Sequence, residues 1–567
     1  MAEKKINEKH LKSLYELISD GKRDYKDKAL FMFERKKVDY SVSYEEFFEY
    51  VCSIARAFIH FGLGGKRIAL IGETSVEWFA TYLATVISGG EIVPLDLALS
   101  KEQFAGFINH SESDAVFYCN SWAEHIESHA DDMPGVKHFV RLTDDVFDMN
   151  GERVAEDERF MRLSDFVKTG NSLKNIEIPE QNPEKMCALL FTSGTTGSSK
   201  GVMLSQKNIC AVLNDAYTLL HQINEKDVLL SVLPVHHTYE MTCGILAPMM
   251  FGATIAINDS LNHVARNMQK YRPTVMALVP LFIEQLSKKI KNGIEKQGKT
   301  KQLEKAIRTS RALMKMGIDM RGKMFSQIRD VFGGRLRYIV SGGAALNPKL
   351  VDEFYDIGIK ISQGYGITEC APLIAAVPFD VNNAKSCGKI IDHLQVFIDK
   401  AKSDDQYGEI VVKGDNVMMG YYKNQEATDE VLSRGWFYTG DLGYVDRDNY
   451  LYITGRKKNV IVMPGGKNVF PEELEEYLSD IKLIEECVVI GRESDGNVTI
   501  TAIVYPNMTY AEEMGLTDKD EIYQKIKGEI NGISRTLPGY KQIRKIEFRT
   551  EPFEKTSSKK IKRFSVK

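Results

Sequence analysis

Residues 67–96 read RIALIGETSVEWFATYLATVISGGEIVPLD, a stretch that sets the pattern for the first half of the chain. Arg67–Gly72 is an apolar run of strand length. Ser75–Ser88 repeats its apolar residues at helical period and stops at Gly89-Gly90, and Glu91–Asp96 is a second strand, so the three form a β-α-β unit. Apolar runs at 114–119, 187–191, 228–234, 253–257, 275–280 and 338–341 continue the alternation, which predicts an α/β architecture of helix-covered sheets. Past Gly388 the pattern changes. Residues 408–414 and 443–455 read as β-hairpin material, the second turning at Asp448-Asn449, and form a small β-barrel-like part. From Asn459 onward comes a separable α+β unit: helix 471–478, strands 487–491 and 498–505, helix 519–537 and strand 543–549. Residues 145–185 are polar and weakly patterned, which predicts a surface excursion.

A chain of 567 residues needs more than one folding unit, and 43% hydrophobic with 27% charged residues is an ordinary globular balance. The formal net charge of -4 excludes a strongly basic nucleic-acid binder. Eight cysteines stand singly, with no zinc-spaced His/Cys cluster, which suits a reducing cytoplasm rather than a disulfide framework. The N-terminal residues are charged and lack the apolar segment of a secretory signal, and no apolar run reaches membrane-spanning length. From Lys288 to Asp330 there are thirteen Lys/Arg against four Asp/Glu. This stretch reads either as a solvated helical insertion or as a surface for anionic lipid headgroups, a peripheral membrane contact, or for an acidic partner.

Residues 192–201, TSGTTGSSKG, follow an apolar strand and precede a helix that Ser205 is placed to cap. Glycines allow close backbone approach, while Ser and Thr hydroxyls with successive N–H groups offer donors to phosphate oxygens, and Lys200 adds a cation. The spacing is not that of the P-loop, because Lys200 is followed by Gly201 rather than Ser or Thr. The string resembles the signature loop of the adenylate-forming superfamily, and further motifs of that superfamily follow in its order along nearly the whole chain. The overall match is to long-chain fatty acid–CoA ligases.

The resemblance implies a site. Thr192, Ser193, Gly194, Thr195, Thr196 and Lys200 would cradle the phosphates of ATP. Gly342, Gly343 and Ala344, in SGGAAL, would border the adenine. In QGYGITE, Tyr365 and Gly366 would meet the base, Thr368 the α-phosphate, and Glu369 would hold Mg²⁺ as a hard oxygen ligand. Asp441 of YTGD would accept from the ribose hydroxyls and Arg456 of ITGRKKN would reach the nucleotide. Lys458 falls at the superfamily's hinge, which implies an AMP-binding domain over 1–457 and a small mobile C-terminal domain over 458–567. Gly466 matches the turn lining the thiol tunnel. Lys560 matches the catalytic lysine, in a motif where Glu554 replaces the usual Pro and Lys559 the usual Gly. His237, in LPVHHTYE, would border the acyl carboxylate.

No Asp stands in that last segment to pair an α-ammonium, which argues against amino-acid substrates. The insertion at 284–330 is similar to that of long-chain synthetases. The implied reaction uses ATP and Mg²⁺ to convert a medium- or long-chain fatty acid to acyl-AMP, then transfers the acyl group to CoA. An acyl carrier protein as the thiol and a non-catalytic lipid- or nucleotide-binding relative remain open alternatives.

Overall fold

The computed structural model describes residues 10–142, 157–192, 199–402, 405–463, 467–494, 497–555 and 561–566. The β-α-β unit forms as read. Strands Arg67–Ile71 and Glu91–Pro94 pair in parallel, with Ile68 opposite Ile92. The Ser75 hydroxyl caps helix Val76–Ile87 by accepting from the Trp78 amide, and every residue of that helix is buried. A helix apolar all round must be covered on every side, which is what the middle layer of an α/β domain provides.

Contacts divide the chain into two compact units, the first holding most of residues 10–394 with 414–430, the second 395–413 and 431–566. The first unit contains two sheets. One has eight strands in the order 420–421, 200–205, 186–192, 91–94, 67–71, 115–118, 138–141 and 160–162. In the other, nine strands of this unit run 38–43, 29–35, 254–257, 228–231, 275–278, 338–341, 360–365, 375–376 and 388–390. Parallel pairing dominates their middles, and those strands are buried almost throughout.

The second unit contains the antiparallel hairpin Trp436–Val445/Tyr450–Arg456, turning where Asn449 adopts φ 65°. Strands Ile484–Ser494 and Asn497–Pro506 pair antiparallel, with Lys545–Phe548 added in parallel. Helix Lys519–Thr536 buries Ile522, Ile526 and Ile530, spaced four apart on one face, against this sheet's core.

Two readings need correction. Residues 157–175 are no surface excursion: helix Leu163–Ser172 follows strand Phe160–Arg162, and Phe166 is fully buried with ring centroids 5.9 Å from Phe58 and 5.7 Å from Phe117. Only Leu163, Phe166 and Gly170 of this helix are buried, so its one apolar stripe is diluted by polar neighbours. Residues 143–156 of the same stretch lie outside the described residues. Nor does the glycine-rich loop lead straight into a helix. Lys200–Ser205 is a strand antiparallel to Met186–Thr192, and only then does Ser205 cap helix Gln206–Leu219 through a reciprocal box with Asn208. The strands on either side of residues 193–198, which lie outside the described residues, are thus antiparallel partners, with Thr192 opposite Lys200.

Phe166→Ala is expected to lower the free energy of unfolding by about 3–5 kcal/mol in urea titration. A near-zero change would return this segment to the surface.

Candidate active site

Several of the residues singled out above meet in the first unit. Thr192 ends one hairpin strand and Lys200 begins the next, directly opposite in register, with the Thr192 hydroxyl 3.4 Å from the Lys200 carbonyl. Lys200 Nζ lies 4.6 Å from the ring centroid of Tyr421, a cation–π contact. The Tyr421 hydroxyl donates to Glu369 Oε1 at 2.8 Å. Burial, and then the Glu369 charge, push the Tyr421 pKa well up, so the phenol stays a neutral donor. The second Glu369 oxygen makes no hydrogen bond among the described residues, and the side chain is half-buried.

The backbone of 414–422 sets this geometry. Met418 N–H donates to the Glu369 carbonyl at 2.8 Å, Met419 N–H to Met203 at 2.9 Å and Tyr422 N–H to Gly201 at 2.7 Å. Gly420 and Tyr421 pair antiparallel with Met203 and Val202. The buried Asn416 amide donates to the carbonyls of Leu373 at 2.6 Å and Cys370 at 3.2 Å, closing the turn that presents Glu369. Gly366 has no room for a side chain: a Cβ there would stand 1.4 Å from the Pro372 carbonyl oxygen. Sequence reasoning missed Tyr421 and Asn416, because a two-residue strand has no periodicity to detect.

Tyr365 is buried at the end of strand Lys360–Tyr365, and Thr368 opens the short turn Thr368–Cys370. Gly342 is buried beneath the Tyr239 ring, so its lack of a side chain serves packing, whereas Gly343, at φ 85°, and Ala344 are exposed. The Tyr239 hydroxyl donates to Val340 at 2.9 Å and Leu278 at 3.2 Å, at the ends of two parallel strands. It opens a π-helical run, Tyr239–Leu246, immediately after the two histidines.

His236 and His237 lie 4.1 Å apart between ring centroids, with His236 Nε2 3.5 Å from Asp96. Burial, reinforced by His236, lowers the His237 pKa to about 4, leaving a neutral imidazole at neutral pH. Glu240 is buried, accepts from Ser231 Oγ at 2.5 Å, and has its pKa raised by burial to about 8.

In the second unit Asp441 and Arg456 are cross-strand neighbours, and Arg456 Nε donates to Asp441 Oδ1 at 2.9 Å. Asp441 is buried while the arginine keeps a side-chain exposure of 39%, so the pair is open from one side. Lys458 lies in the short turn after Arg456. A bridge between Lys555 and Ile561 closes the segment that leads to Lys560. Glu486 pairs with Lys555 and accepts from the Phe553 amide at 2.8 Å, while Arg563 pairs with Glu475. Ser193, Gly194, Thr195, Thr196, Gly466 and Lys560 lie outside the described residues.

The sequence profile of the AMP-binding enzyme family matches residues 20–422. The chain belongs to that family. A rat protein named long-chain-fatty-acid–CoA ligase ACSBG2 is 27% identical to this AMP-binding enzyme over 485 residues, covering 80% of the chain and 71% of its own length. The long-chain-fatty-acid–CoA ligase FadD15 of Mycobacterium bovis is 29% identical over 445 residues, covering 75% and 71%. Long chain acyl-CoA synthetase 8 of Arabidopsis thaliana is 25% identical over 587 residues, covering 93% and 80%. Among solved structures, an anthranilate CoA ligase in complex with anthranoyl-AMP superposes with TM-score 0.77 at 20% identity, covering 98% of this chain and 96% of that one. ATP-bound MatB of Rhodopseudomonas palustris gives 0.74 at 22% identity, covering 97% of both. The fold of this AMP-binding enzyme is thus the fold of adenylate-forming enzymes.

Tyr421→Phe removes one hydrogen bond to a carboxylate and is expected to slow ATP-dependent acid activation roughly tenfold in single-turnover assays. A wild-type rate would detach Tyr421 from the site. The depressed His237 pKa has a definite sign. Below about 6.5 the unfolded imidazole takes up a proton that the folded one refuses until about 4, so stability falls across that window and levels beneath it. Relative to wild type, His237→Gln should flatten that decline by about 3 kcal/mol in denaturant titrations run at successive pH values.

Proposed function

We propose that this AMP-binding enzyme activates a medium- or long-chain fatty acid with ATP, forming acyl-AMP and pyrophosphate, and then transfers the acyl group to CoA with release of AMP. The observation carrying this reading is the Lys200–Tyr421–Glu369 constellation, held by the 414–422 strip in a chain whose relatives are named long-chain fatty acid–CoA ligases. Its setting is the cytoplasm, in keeping with eight cysteines that form no disulfide among the described residues. Among the described residues, no helix is long and apolar enough to cross a membrane.

Attack of a carboxylate on the α-phosphorus brings two anions together, so catalysis rests on neutralising charge as the transition state forms. Glu369 fits a magnesium ligand: the residue is half-buried, its second oxygen makes no hydrogen bond among the described residues, and Mg²⁺ is held by one or two carboxylates together with substrate phosphates. Mg²⁺ bound there would offset charge on the phosphates. Tyr421 fixes the carboxylate rotamer through its other oxygen. Lys200 and the 193–199 loop hold the phosphates, Thr368 faces the α-phosphate, and Tyr365 with the 342–344 turn takes the adenine. Asp441 accepts from the ribose hydroxyls with its capacity beyond the Arg456 bond.

Neutral His237 orients the acid through a hydrogen bond without adding a competing charge. Lys560 bridges the attacking carboxylate and an α-phosphate oxygen, an oriented charge worth roughly 3–4 kcal/mol in a dry site. Thiol attack in the second step expels AMP and needs no such lysine. The domain over 458–567, hinged at Lys458, withdraws Lys560 and presents the Gly466 turn for that step.

Lys560→Ala is expected to reduce carboxylate-dependent pyrophosphate exchange by about 100- to 1,000-fold while sparing transfer from supplied acyl-AMP to CoA. Equal loss of both half-reactions would reject the role of Lys560. No exchange by the wild type with any acid from octanoate to oleate would end the ligase reading.

A further inference from the structure

The basic insertion is a pair of helices, Pro280–Lys296 and Thr300–Lys315, with one face committed to the protein. Leu303, Ala306 and Ile307 pack on the core and Ser310 is buried. Some of its cations also serve the fold: Arg311 holds Asp356 in a two-pronged pair at 2.7 and 2.8 Å, and Lys291 holds Glu353 at 2.7 Å.

The opposite face is different. Lys301, Lys305, Arg308 and Lys315 are all exposed, and at ~100° per residue they fall within about 80° of one another around the helix. Lys296 and Lys299 continue the patch through the turn between the helices, and none of these six cations makes an ion pair among the described residues. Glu304 flanks the stripe and Glu295 adjoins Lys296, so the six cations face two acids. Where the helix ends, Met316 and Ile318 project with exposures of 66% and 47%, on either side of Gly317 at φ 79°.

We propose that this face is a docking surface for an anionic lipid bilayer. Lysine stems lie along a headgroup layer with their ammonium groups among the phosphates, while the Met316/Ile318 tip enters the acyl boundary. A purely electrostatic contact with an acidic protein would use the stripe and leave the apolar tip in water. The first helix gives the surface a place in the enzyme's work. It starts beside the candidate site, where Val279 Cγ1 is 3.6 Å from the position of a Cβ on Gly343, and its 17 residues end at the lysines. At ~1.5 Å per residue the two are about 25 Å apart along one helix. An acid dissolved in the bilayer is thus collected at one end of a rigid element whose other end borders the site, a consequence that rests on the fatty-acid reading above.

Vesicle flotation tests this with the full chain. Wild type is expected to float with phosphatidylcholine vesicles containing phosphatidylglycerol, not with phosphatidylcholine alone, and to detach as salt is raised. The variant combining Lys301→Glu, Lys305→Glu, Arg308→Glu and Lys315→Glu should lose more than about a hundredfold in partition, at roughly fivefold per cation removed. Met316→Ser with Ile318→Ser should lose severalfold. Both variants should keep wild-type pyrophosphate release with octanoate in free solution. Failure of the wild type to float with anionic vesicles, or unchanged flotation of the charge-reversed variant, overturns the proposal. So does stripe-dependent capture of an acidic acyl carrier protein without any vesicle binding. Flotation that persists in a protein inert toward every acid would sink the ligase reading and leave the lipid surface standing.

Discussion

The strip from Gly414 to Tyr422 is the constraint on which the site depends. Its amides donate on one side to the Glu369 turn and on the other to the strand leaving the glycine-rich hairpin. Buried backbone groups have to be paired, so neither partner can shift without breaking bonds that water is not present to replace. Glu369 and Lys200 are 169 residues apart in sequence, yet the strip holds them to one tyrosine, with the ring under the ammonium and the hydroxyl on the carboxylate. Position there is built from backbone, which is stiffer than any pair of long side chains meeting across water.

Within each unit, burial and close partners set the charge of the groups singled out above. Tyr421 is held neutral by burial, and His237 is held neutral by burial and its histidine neighbour. Asp441 meets Arg456 across one hairpin. In the C-terminal part, Glu486 and Glu475 fasten both ends of the segment leading to Lys560. Burial raises the Glu475 pKa to about 7 against the pull of Arg563.

What was legible in the sequence, and what was not, follows the range of the interactions. Helix Val76–Ile87 was readable from Ser75 and the glycines after it, because caps are local chemistry. The neighbourhood of Asp441 and Arg456 lay within one hairpin and was readable in kind. Tyr421 was not, since its role comes from pairing with Val202, far away in the chain. Helix Leu163–Ser172 escaped because three buried residues among ten do not raise a stretch above its polar surroundings. The strand Lys200–Ser205 is masked in the sequence by the better-signalled helix behind it, whose Ser205 box is a strong local mark.

The π-helical run after the histidines has a bearing on how this enzyme tolerates change. Its turns are wider than α turns, so the run contains backbone length that a plain helix would not need. Removing one residue would relax it to α geometry and leave the following helix, Ala247–Met250, near its present orientation, because one residue fewer at the tighter α pitch turns through nearly the same angle. Tyr239, clasped by the carbonyls of two parallel strands, marks the fixed start of the run. The stretch between the histidines and the Met-rich helix accordingly holds slack for the loss of one residue, taken up between a fixed tyrosine and a helix that stays in place.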